Sequence, residues 1–448
     1  MKNVLDFGAV GDGITKDTAA VQRAIDQGGT VYFPAGTYLC GSLYLRSQTT
    51  LELENGAVIL GSPDPEDYNK PDFCPQNSVC LPEKAFGAHL IIALEVDHVA
   101  IRGGKIDGNR AAFFDPSLYS RDDFPGWRPS QMLYFCESSH ILLENVEMVN
   151  SPYWTCFLHG CTDITIRSVS IRNQKGVWNG DGLDIDCCRQ VVVSDCMIDS
   201  SDDSIAIRAS GKDRLLHAEG ICEDIAVTNC VLRSGQAGVR LGVGNGLIRH
   251  CTFSNLVIRD GKFGICMLST YYPEIFPAGA EGAGIADVLF SNLYVNAQIP
   301  IDISSNWADK PLKTSRKEIR GITIQNVRGY GCRTSILQGN LDYNVSDLTF
   351  SDISLEITGG EDILNPAHPD VPICYLRPCA FYVAYAADVL FRNCRIRWKD
   401  ETELWQQAIE AENNRDLVFT DCRFAVPRGG AVQFLSIPLG QYNLRLCR

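Results

Sequence analysis

The feature that most limits the fold is an eight-residue pattern, h-x-h-x-x-h-x-h (h apolar), that returns with some slippage through most of the chain. It reads VAIRGGKI (99–106), ILLENVEM (141–148), ITIRSVSI (164–171), VVVSDCMI (191–198) and IAVTNCVL (225–232). It continues as CTFSNLVI (251–258), VLFSNLYV (288–295), ITIQNVRG (322–329), LTFSDISL (348–355), VLFRNCRI (389–396) and LVFTDCRF (417–424). Each copy is two short strands of period two, broken by a polar pair. The pair often ends in Asn or Asp, residues that tolerate turn conformations. Successive copies start between 23 residues (Ile141 to Ile164) and 42 residues (Val99 to Ile141) apart. That is about one turn of a parallel β-solenoid, in which each coil pairs only with its neighbours. Cys196, Cys230, Cys394 and Cys422 follow the polar pair in their copies and are expected to stack inside the coil as small hydrophobes.

The pattern predicts an all-β, single-domain solenoid over residues 1–448. Residues 1–40 form an N-terminal cap and first strands, about 96–426 the repeat coils, and 427–448 a C-terminal cap. Within the first part, DTAAVQRAIDQGG (17–29) has Asp17 at an N-cap position and Gly28–Gly29 at its end. It reads as a short helix that covers the open end of the stack.

Composition excludes several function classes. Lys and Arg number 40 against 54 Asp and Glu, a net charge of −14, with no basic block, so nucleic acid is not an expected partner. No run of 18 apolar residues is present, which argues against a membrane helix. The amino terminus MKNVLDFGAVGDG lacks the apolar core and cleavage site of a secretory signal. The 19 cysteines are odd in number, irregularly spaced and without a CxxC pair. A cytoplasmic location is therefore expected.

Aligned on the first apolar position of each copy, Asp202, Gln236 and Lys262 each lie 11 residues beyond Val191, Ile225 and Cys251. In a stacked solenoid they form one column. The strands that follow align as well: GLDID (182–186), SIAIR (204–208), GVRLG (238–242) and GICML (264–268). Leu183, Ile205, Val239 and Ile265 are expected inward, and Asp184, Ala206, Arg240 and Cys266 outward. Asp181 falls one rung from Asp203, so three carboxylates from two adjacent coils converge at a bend where both Asp202 and Asp203 reach solvent. Like charges that close raise the pKa of at least one, and a protonated acid beside an ionised base is what glycosidic cleavage needs.

These residues carry a resemblance to glycoside hydrolase family 28, the polygalacturonase and rhamnogalacturonase family. It runs from FGAVGDG and GGTVYFPAGTY through GGKIDGNRAAFF and SPYWTCFLHGC to the last repeats. FGAVGDG is shared with lyases and phage tailspikes. The sharper motif is Asn-Thr-Asp followed one coil later by Asp-Asp, here Asn179-Gly180-Asp181 and Asp202-Asp203. The resemblance implies a right-handed parallel β-helix and an inverting hydrolase. Asp202 would be the general acid, with Asp181 and Asp203 activating water. Two motifs depart from the family pattern. Gln236 stands where the family's Gly-His-Gly has histidine, and Cys266-Met267-Leu268 replaces the Arg-Ile-Lys that grips galacturonate. Both count against ordinary polygalacturonase activity, although rhamnogalacturonan-type members also lack that histidine.

Asn179, Gln236, Arg240 and Lys262 are candidate substrate contacts, with Arg240 poised to hold a uronate carboxylate. Trp154 and Trp307 are candidate sugar platforms, and Tyr271 and Tyr272 weaker ones. Inserts at 175–180, 209–221, 271–283, 303–318 and 358–382 are expected to wall a pocket. That favours exo-action on an oligosaccharide or small glycoside, with no metal or cofactor required. Two other readings fit the same scaffold: a Ca²⁺-dependent polysaccharide lyase with Lys262 or Arg240 as base, and a non-catalytic carbohydrate-binding solenoid.

Overall fold

The computed structural model describes residues 1–70, 87–113, 127–173, 179–210, 219–269, 282–305, 317–358, 377–399, 405–425, 427, 435–436 and 445–447. Trp307, Tyr271, Tyr272, most of the five inserts and most of the C-terminal cap lie outside the described residues. The chain divides into two compact units, Met1–Gly235 and Gln236–Arg448. Both are stacks of parallel strands, and the fold is a parallel β-helix.

In the first unit a coil is three short strands, as in Leu183–Asp186, Arg189–Ser194 and Met197–Asp199. The first apolar position of each copy pairs with the same position one coil away: Val99 with Ile141, Ile141 with Ile164, Ile164 with Val191, and Val191 with Ile225. A second ladder runs Ile106, Met148, Ile171, Ile198 and Leu232. A third runs Ile91, Leu133, Cys156, Leu183 and Ile205. These side chains are buried, and each large aliphatic one contributes on the order of 1.5–3 kcal/mol.

The polar pair makes the corner between strands. Its second residue has positive φ throughout: Asn145 (53°), Ser168 (54°), Asp195 (58°) and Asn229 (56°) in the first unit, Asn255 (54°), Asn326 (50°) and Asn393 (52°) in the second. Asn and Asp are the non-glycine residues that occupy this region at least cost. Corner amides also bond along the stack, with Asn326 Nδ2 donating to Asn292 Oδ1 at 2.8 Å. Cys196 and Cys230 sit buried beside the corners and donate to Ser194 and Thr228 carbonyls at 3.2 and 3.1 Å. The second unit repeats the scheme from Cys251 through Val288, Ile322, Leu348 and Val389 to Leu417. Its core holds a ring stack, with Phe350 4.8 Å from Phe391 and Phe391 5.2 Å from Phe419.

The predicted helix spans Thr18–Ile25 and buries Ala20, Val21, Ala24 and Ile25 against the first strands. Asp17 occupies the N-cap position but does not cap. Its carboxylate accepts from the Val10 and Gly11 amides at 2.7 and 3.1 Å, tying the amino-terminal segment to the helix start.

Candidate active site

Asp181 and the Asp202–Asp203 pair stand at the entries to two neighbouring strands, Leu183–Asp186 and Ile205–Ala209. The bend that aims the pair is held by hydroxyls. Ser200 Oγ and Ser234 Oγ donate to the Asp202 carbonyl at 2.9 and 2.6 Å, and Ser204 Oγ donates to the Arg233 carbonyl at 2.9 Å. The Asp181 carbonyl accepts from the Thr155 amide at 2.9 Å and hydroxyl at 2.8 Å, and the Gly182 amide donates to the Asp203 carbonyl at 2.9 Å. Position 182 must be glycine for space. A Cβ there would lie 2.5 Å from the Ser204 carbonyl oxygen and 2.5 Å from Ile198 Cγ2.

This framework brings one carboxylate oxygen of each of Asp181, Asp202 and Asp203 within 4.8 Å of the others. The convergence expected from the sequence is present. The exposure is not as expected: Asp203 is 3% exposed and Asp181 4%, and only Asp202 keeps appreciable surface. The Asn179 backbone N–H donates to Asp202 Oδ2 at 3.3 Å. Asp181 Oδ1 is buried and has no hydrogen-bond partner among the described residues.

Burial, and then the charges of Asp184, Asp202 and Asp203, push the Asp181 carboxyl well above the usual carboxylate range. Desolvation leads, with like-charge repulsion second.

The largest departure from expectation is Asp184. Its alternation with Leu183 and Ile185 places it outward, yet it is fully buried. It pairs in register with Phe157 and Ala206, also buried, and Arg208 Nη1 lies 3.5 Å from its Oδ1. Burial raises its pKa well above the usual value despite that guanidinium. One register step on, His159, Asp186 and Arg208 share a column. Burial opposes ionisation of Asp186, but His159, Arg208 and bonds from Ser210 outweigh it and hold its pKa low. Sequence reasoning passed over Asp186, Arg208 and His159. Their signal is opposite charges at matching outward positions of GLDID and SIAIR.

Trp154 is not the open sugar platform predicted. It is 4% exposed, packed on Tyr153 and Phe157, with the Arg208 guanidinium 4.4 Å from its ring. Its flat face holds Arg208 in place beside Asp184. Gln236, Arg240 and Lys262 belong to the second unit, all partly exposed. Ala237 pairs with Phe263 and Arg240 with Cys266, so the predicted register holds there. Cys266, outward by alternation, is covered at 3% exposure and packs with Ala237 and Leu268.

Two groups among the described residues have the donor types and spacing to hold a metal ion: Asp181, Asp202 and Asp203, and separately Asp97, His98 and His140.

The model of glycosyl hydrolases family 28 matches residues 78–370, and the model described as rhamnogalacturonase A/epimerase, pectate lyase-like, matches residues 1–67. A probable polygalacturonase of Vitis vinifera is 26% identical over 350 residues, covering 66% of this chain and 70% of that protein. An exo-poly-alpha-D-galacturonosidase of Dickeya chrysanthemi is 25% identical over 420 residues, covering 80% of this chain and 64% of that protein. The fold is similar to that of the family 28 exopolygalacturonase of Yersinia enterocolitica, with a TM-score of 0.71 and 19% identity over 92% of this chain and 78% of that one.

Proposed function

The chain belongs to glycosyl hydrolases family 28, and on that premise we propose that it is an exo-acting hydrolase of uronate-containing oligosaccharides. The observation that carries the reading is the approach of Asp181, Asp202 and Asp203 to within 4.8 Å in a largely buried setting. Buried carboxylates this close do not all ionise near neutral pH, so the cluster retains a proton. Asp202, the member with exposed surface, passes it to the leaving glycosidic oxygen. Asp203 takes the proton of a water that Asp181 helps to orient, as that water attacks the anomeric carbon. The C–O bond to the leaving group breaks as the bond to water oxygen forms, and the proton left on the base returns to Asp202 through solvent. Exo-action is supported by the likeness to the Dickeya exo-poly-alpha-D-galacturonosidase.

The spacing itself favours a second reading of the stereochemistry. Inverting glycosidases usually hold their two carboxyl groups about 6.5–9.5 Å apart and retaining ones about 5–5.5 Å. By that rule the short separation here suits a carboxylate nucleophile and a covalent intermediate. The protonation of Asp181 argues for inversion, because a carboxyl drawn toward its protonated form is a poor nucleophile and can still orient the attacking water. NMR of the first-formed anomer from a short oligogalacturonide decides between them. The inverted anomer supports direct attack by water, the retained anomer overturns it, and no cleavage of any pectic oligosaccharide overturns the hydrolase reading.

A further inference from the structure

The second unit carries a feature the hydrolase chemistry does not use. The seventh residue of the repeat is outward-facing, and in three of the last four copies it is arginine: Arg328, Arg395 and Arg423, with Ser354 in the fourth. The register stacks them in one column, Arg328 beside Ser354, Ser354 beside Arg395, and Arg395 beside Arg423. All three arginines are exposed. At one strand spacing per step the column is about 14 Å long. Arg397 joins from the next outward position, and all four line a single groove of about 480 Å³.

Like charges on neighbouring strands are destabilising. Among the described residues, no ion pair engages any of the four arginines. The groove has one carboxylate, Asp352, whose Oδ1 accepts from Asn393 Nδ2 at 2.6 Å. Glu356 neighbours Arg397 in the ladder without pairing with it. A chain of net charge −14 thus concentrates four unpaired guanidinium groups on one rigid face. Guanidinium groups hold carboxylates through paired N–H donors. Arginines on three of four successive rungs, spaced by whole multiples of the strand spacing, match a polymer carrying one carboxylate per sugar, since that spacing is comparable to the length of a sugar residue.

We infer that this groove binds a strand of acidic polysaccharide, a polyuronate lying along the column with its carboxylates on Arg328, Arg395 and Arg423. The choice of a uronate polymer rests on the hydrolase proposal above; the need for a repeating anion rests on the groove alone.

The test is affinity electrophoresis of the full chain bearing Asp202→Asn, in gels containing polygalacturonate, dextran or inorganic polyphosphate. Polygalacturonate should retard the protein, dextran should not, and adding Arg395→Gln with Arg423→Gln should weaken retardation at least about tenfold. Lysine at both positions should restore part of it by keeping the charge. Retardation unchanged by the glutamine pair, equal retardation by dextran, or equal retardation by polyphosphate at matched charge each overturns the inference. Cleavage of short oligouronides by the otherwise native chain is measured in parallel, with and without the glutamine pair. Absence of cleavage with arginine-dependent retardation intact sinks the hydrolase reading alone. A glutamine pair that lowers short-substrate cleavage as much as retardation means the arginines serve the cleavage site, and overturns a separate groove.

Discussion

Replacing Asp181 with asparagine should stabilise the first unit, by more as the pH rises. Two carboxylate oxygens, from Asp202 and Asp203, lie within 4.8 Å of one on Asp181. At that distance and an effective dielectric constant of about 20, each ionised neighbour repels an ionised Asp181 by about 3.5 kcal/mol. Burial first, and then the charges of Asp184, Asp202 and Asp203, keep Asp181 protonated and hold its pKa above the ordinary range, so the native protein escapes much of this repulsion. A group with a raised folded-state pKa gives its full contribution below the unfolded carboxylate range and loses it as the pH rises through the folded-state value. The Asp181→Asn change has no such proton to lose. Its thermal midpoint should therefore match the native one in acid, move ahead as the pH rises from the unfolded carboxylate range to the raised folded-state pKa, and keep a constant lead above it. For a unit of this size the gain should reach roughly 7–14 °C per ionised neighbour. Scanning calorimetry from acid to mildly alkaline pH reads the difference directly. A difference that is constant over the whole pH range, or a variant less stable at the alkaline end, refutes the like-charge account of this cluster. The same change should cost at least about 10²-fold in activity, so stability and turnover should move in opposite directions.

Asp202→Asn should abolish hydrolysis, by about 10²–10⁴-fold, while circular dichroism stays native because the side chain sits at a bend outside the core; near-native turnover would remove Asp202 from the acid role. Gly182→Ala should cost several kcal/mol or prevent folding, since its Cβ would meet the Ser204 carbonyl at 2.5 Å; an unshifted unfolding midpoint would show that the two coils are less tightly joined than described. Activity should survive a strong chelator and yield no product absorbing as an unsaturated uronide, whereas chelator-sensitive activity with such a product assigns a lyase. Arg240→Gln should reduce cleavage of a uronoside more than of the matched neutral glycoside; an equal loss on both rules out a carboxylate contact.

The repeat determined most of the architecture by itself. Apolar residues at fixed offsets have one way to bury both strands of every copy, which is to stack in register, and Ile141, Ile164, Val191 and Ile225 do pair as their positions require. The corner residues were legible too, because few side chains other than Asn and Asp accept positive φ cheaply. So was the meeting of Asp181 with Asp202 and Asp203, since register alone brings them to neighbouring rungs. Alternation states which face of a strand a side chain takes; it does not state what covers that face. Asp184 faces outward by alternation, yet it is buried beside Arg208. An aromatic beside the aspartates suggests a sugar platform, whereas Arg208, Tyr153 and Phe157 pack against Trp154. The burial that raises the Asp181 pKa is likewise a property of the assembled structure. Only the tertiary structure decides such things, because solvation belongs to the assembled surface while periodicity belongs to a single strand.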